Sequence, residues 1–181
     1  GDGDGIDSDP TDPDAAQTGK DYFSHGTHVA TTIGAKNDGV DINGFAVKVL
    51  PLRVCKIKGI EGRCASYDTY QALLYAAGLA NSSGTFYSSS TNPVKVINMS
   101  LGGPGWSPSC DIIDDIRAKD ITVVASSGNE ADKESGTLVF YPASCEGVIS
   151  VGATGSDGEK APYSNYNIYV DIAAPGGNEN L

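Results

Sequence analysis

His25 and His28 are the only two histidines in 181 residues, and they stand three apart in the stretch SHGTHVATTIGA at 24–35. Imidazole titrates near neutrality, so either ring could serve as a general base. A pair three apart on a helix could also hold zinc, but no H-E-x-x-H is present and no third ligand suggests itself. For such a pair taken alone, a structural role is the plainer reading. Four cysteines, Cys55, Cys64, Cys110 and Cys145, include no C-x-x-C, which weakens zinc and redox readings. An even number permits two disulfides in any of three pairings, and disulfides are favoured over four buried thiols. Near the start, Asp7, Asp9, Asp12 and Asp14 set hard oxygen ligands at alternate positions, a pattern suited to calcium. A solvated acidic loop is the equal alternative there.

These residues need elements to hold them. A chain of 181 residues is the size of one domain and can bury a core, and 39% apolar with 19% charged residues is ordinary globular composition. The net charge of −11 argues against nucleic acid or an anionic membrane as partner. No run approaches the ~18 apolar residues of a membrane span, and the given N-terminus has no apolar h-region, so no signal peptide is read. Residues 1–19 are rich in Asp, Gly and Pro and read as a loop. Small and apolar residues at 26–35 predict a helix. The β-branched run VKVLPLRV at 47–54 predicts a strand despite Pro51. Helical spacing over 66–83 predicts the clearest helix, and 110–120 is amphipathic. Buried strands are expected at 95–100, 121–129, 147–154 and 169–177. Short apolar strands alternating with helices imply a doubly wound, mostly parallel α/β sheet with helices on both faces, in one domain over 1–181. In such sheets the site lies at the carboxyl ends of the strands. MSLGG, SSGNE and APGG each follow a strand, as that rule requires.

Three motifs then gain weight from their order: HGTHVA at 25–30, INMSLGG at 97–103 and VVASSGN at 123–129. YPASCEGVISVGAT at 141–154 and YSNYNIYVDIAAPGG at 163–177 extend the match to about 21–177. Together they resemble the subtilisin-like serine proteases, and most closely their secreted bacterial branch with cysteines in these loops. The resemblance implies that His25 is the catalytic base; for His28, one turn on, a buried, hydrogen-bonded structural role is the better reading. It implies that Asn129 donates its side-chain N–H to the oxyanion. Ser100, Leu101 and Gly102 correspond to the edge segment that pairs with extended substrate, and Ser126, Ser127 and Gly128 to the opposite wall of the specificity pocket. Phe140, in FYP, stands where the family often has a small residue and is expected to narrow that pocket. Polypeptide substrates, no cofactor for catalysis, an optional structural calcium before the histidine motif, an N-terminal propeptide, secretion and a monomeric state are implied as well. The cysteine pairs expected in this topology are Cys110–Cys145, at the rim of the site, and Cys55–Cys64, nine apart and pinching a small loop.

The family's triad runs Asp, His, Ser along the chain. Asp7–Ser8 in GIDSDP follows no apolar strand, precedes no Gly, and lies only 18 positions before His25. No G-T-S occurs after APGG, and Ser164, in YSNY, has the wrong context. The 181 residues therefore read as an internal portion of a serine endopeptidase, lacking the nucleophile and the triad aspartate. A non-catalytic peptide-binding relative is the competing reading, and flanking D-[ST]-G and G-T-S motifs would separate the two. A metal hydrolase would need a third ligand beside His25 and His28. Thr31 stands where the family usually carries Gly.

Overall fold

The structure is a computed structural model that describes residues 25–40, 42–58, 61–105, 110–131 and 137–178. The chain divides into two compact units, 1–72 and 73–181.

In the first unit, α1 (His25–Gly34) is built from small and β-branched residues. Thr31 Oγ1 donates to the Thr27 carbonyl and Thr32 Oγ1 to that of His28, at 3.0 Å, the back-bonding that lets hydroxyl residues sit inside a helix. The chain leaving α1 folds back along its end, with the Phe45 N–H donating to the Ile33 carbonyl at 2.9 Å. A Cβ on Gly34 would fall 2.5 Å from Val49 Cγ2, so the return pass needs glycine there. The strand expected at 47–54 is not formed. The run finds no ladder partner among the described residues, and Pro51 removes a donor. Pairing begins instead at β1 (Cys55–Lys58), antiparallel to β2 (Glu61–Cys64) with Cys55 opposite Cys64. The Cys55–Cys64 disulfide bridges these partners, their Cα atoms 3.9 Å apart.

Next along the chain comes α2 (Ser66–Ala76), shorter than the predicted 66–83. Gly78, at φ +69°, ends it. The Leu79 N–H then reaches back to the Leu74 carbonyl at 2.8 Å, satisfying an end carbonyl that would otherwise lack a donor.

The second unit is a parallel sheet. Its strands are β3 (Val96–Met99), β4 (Thr122–Ser126), β5 (Val148–Thr154) and β6 (Ile172–Pro175), adjacent in that order. Between β3 and β4 runs α3 (Asp111–Arg117), packed against β4. Its Ile112, Ile113 and Ile116 form one apolar stripe, and the last two are wholly buried. Together with Val123, Ala125 and Val148 they make the core of this unit. The Cys110–Cys145 disulfide ties the residue before α3 to the turn entering β5. Both expected cysteine pairs are therefore present, in an α/β fold with a parallel sheet.

Candidate active site

The candidate site of the second unit grows from the carboxyl ends of β3 and β4. The strands pair with Met99 opposite Ala125, so the segment beginning at Ser100 and the one beginning at Ser126 leave the sheet side by side. Ser100 is fixed by the Asn98 amide, which donates to its Oγ at 3.0 Å. Leu101 is half-buried and Gly102 exposed. Gly103 and Tyr141 then exchange both backbone hydrogen bonds at 3.0 Å, joining this segment to the one carrying Phe140. A Cβ on Gly102 would meet the Tyr141 carbonyl oxygen at 2.6 Å, so glycine is required for that approach.

Beyond β4, the Ser127 N–H donates to the Val151 carbonyl at 2.9 Å. The Ser127 side chain is buried and donates to the Asn165 carbonyl at 3.4 Å, so any pocket wall it forms is backbone. Gly128 adopts φ +105°, a conformation open to glycine. Its missing Cβ leaves room for two neighbours: a Cβ would fall 2.5 Å from Asn165 Nδ2 and 2.9 Å from Phe140 Cδ1. Phe140 is half-buried, with its ring against the Gly128 backbone. Asn129 follows, exposed.

Sequence reasoning missed Asn165. It is 1% exposed and spans the loop with main-chain and side-chain bonds. Its Oδ1 accepts from the Glu130 N–H at 2.9 Å, and its Nδ2 donates to the carbonyls of Ser127 at 3.0 Å and Leu138 at 3.4 Å. Its own N–H donates to the Gly128 carbonyl at 3.0 Å. Asn167 adds a second amide donor to Leu138, at 2.9 Å. The run of polar residues in YSNYN was the only sequence signal. Ser164 beside it is 2% exposed, and its Oγ accepts from the Ala153 N–H at 2.8 Å, a structural role consistent with its exclusion as nucleophile.

In the first unit His25 opens α1 at its exposed end. Partial desolvation, and secondarily the neighbouring His28, hold its imidazole below the ordinary value of 6.5. At neutral pH the ring is therefore in the proton-accepting form. His28 is exposed rather than buried as expected, because α1 has no buried residue. Its small Gly, Thr and Ala side chains offer little apolar surface to cover. Asp7, Asp9, Asp12 and Asp14 lie outside the described residues.

Comparison with known proteins adds a second line of support. The family model described as the subtilase family matches residues 2–181. The chain is 38% identical to the extracellular basic protease of Dichelobacter nodosus, over 98% of the chain and 31% of that protein. It is 40% identical to the extracellular protease of Xanthomonas campestris pv. campestris, over 84% of the chain and 25% of that protein. The chain thus spans about a third or less of these two relatives. Among solved structures, a protease of Pseudoalteromonas arctica superposes with a TM-score of 0.55 at 34% identity, over 65% of this chain and 34% of that one.

Proposed function

The chain belongs to the subtilase family, and from that premise we propose that the protein carrying it is a secreted serine endopeptidase acting on extended polypeptides. His25 takes the proton of the attacking serine and returns it to the leaving amine, through an acyl-enzyme. That serine is taken from the family's mechanism and is not assigned to a residue of this chain. Asn129 donates to the oxygen that becomes negative in the tetrahedral transition state. The segment Ser100, Leu101 and Gly102 receives the substrate backbone as an added strand. Ser126, Ser127 and Gly128 form the facing wall, with Phe140 restricting the pocket. Secretion is supported by the two relatives named as extracellular proteases.

The observation that carries this reading is the β3–β4 register, Met99 opposite Ala125, in which the segment from Ser100 and the loop carrying Asn129 leave the sheet side by side, as this reading requires. The test uses the full-length protein and an extended peptide substrate. His25→Ala should abolish hydrolysis, by a factor on the order of 10⁶ as known for subtilisin itself. Because the imidazole must be neutral to accept the serine proton, kcat/KM should rise as pH climbs through the His25 pKa and level off above it. Undiminished hydrolysis by the His25→Ala protein would refute the assignment.

A further inference from the structure

We propose that Asn165 is a positioning residue for Asn129, an inference that rests on the oxyanion reading of Asn129 given above. Asn129 sits on a short loop whose neighbours on both sides are bonded to this one buried residue. Ser127 gives its carbonyl to the Asn165 Nδ2 at 3.0 Å, and Gly128 gives its carbonyl to the Asn165 N–H at 3.0 Å. Glu130, on the far side, gives its N–H to Oδ1 at 2.9 Å. The same Nδ2 reaches Leu138 at 3.4 Å, two residues before Phe140. One carboxamide thus ties together the oxyanion loop and the segment carrying the pocket aromatic.

The chemistry requires an amide in particular. The side chain must donate to two carbonyls and accept from one N–H, and only Asn or Gln offers both functions on one planar group. At 1% exposure no water substitutes freely for a lost partner. Gly128 fits the same design, since a Cβ there would fall 2.5 Å from Nδ2 and push the amide away. A transition-state donor must be held in place before the charge develops, because reorganising it during reaction forfeits the gain. The four bonds from Asn165 to residues 127, 128 and 130, counting the Ser127 hydroxyl at 3.4 Å, supply that restraint.

A double-mutant cycle in the full-length enzyme tests this. Asn165→Asp keeps the shape and the acceptor but turns the two donor contacts into oxygen against oxygen. It should lower kcat roughly 10- to 100-fold, the cost of misplacing a catalytic group by about an ångström, with KM changed less than about threefold. In an Asn129→Ala background the same substitution should change the remaining kcat by less than about threefold, because the group it positions is already gone. Should Asn165→Asp fail to fold, Asn165→Ser, smaller and neutral, carries the same cycle. Equal fold-losses in both backgrounds would make Asn165 a purely structural residue and overturn the inference, while leaving Asn129 as the oxyanion donor. An Asn129→Ala enzyme with unchanged kcat would overturn the oxyanion reading, and this inference with it.

Discussion

At the residue scale, Phe140 is proposed to narrow the specificity pocket. It stands against Gly128 in the space a Cβ at that position would enter, 2.9 Å from Cδ1 and 3.0 Å from Cγ. Under the proposed reading, an aromatic ring in that place takes up volume beside a wall of Ser126, Ser127 and Gly128. Phe140→Gly should therefore raise kcat/KM for a peptide with Phe at the recognised position relative to one with Ala. A single methylene-sized change in a pocket is worth roughly 1–3 kcal/mol, or about 10- to 200-fold, so the loss of a whole ring should shift the preference by at least about tenfold. Steady-state kinetics on two peptides differing at that residue alone provide the check. An unchanged preference would mean that the ring serves only to pack.

At the scale of elements, the two disulfides differ in what they constrain. Cys110–Cys145 spans 35 residues and joins the start of α3 to the turn before β5, whereas Cys55–Cys64 spans 9 and closes a hairpin already paired by its ladder. In the chain-entropy model the longer loop contributes about 4 kcal/mol and the shorter about 2.5. Cys110→Ala with Cys145→Ala should thus lower the urea midpoint more than Cys55→Ala with Cys64→Ala, and the reverse order would contradict this. The parallel strands and α3 were legible in the sequence because runs such as ITVV and the spacing of Ile112, Ile113 and Ile116 carry the period of the element within themselves. The run 47–54 misled, because a β-branched stretch becomes a strand only where a partner offers a ladder. The end of α2 was overrun because the stop lies in the backbone of Gly78, not in the apolar pattern. Asn165 was illegible for a related reason: its partners lie 27 to 38 residues away in sequence, so no local pattern announces them.

At the scale of the whole chain, the net charge is −11, and no described helix is long and apolar enough to cross a membrane. The β3–β4 register and the Gly103–Tyr141 bridge bring together the segment from Ser100, the loop that follows β4 and the segment carrying Phe140. Under the proposed reading these segments serve peptide-bond hydrolysis through a tetrahedral intermediate, and that reading turns on Asn129 as the oxyanion donor. The most direct measurement is therefore the kcat and KM of full-length Asn129→Ala enzyme on an extended peptide. Subtilisin is the established precedent for the size of the effect, about 10²–10³ in kcat for the loss of one such donor. The expected result is a loss of that order with KM within about twofold, because the bond forms in the transition state and not in the ground state. An unchanged kcat, or a loss confined to KM, would contradict it.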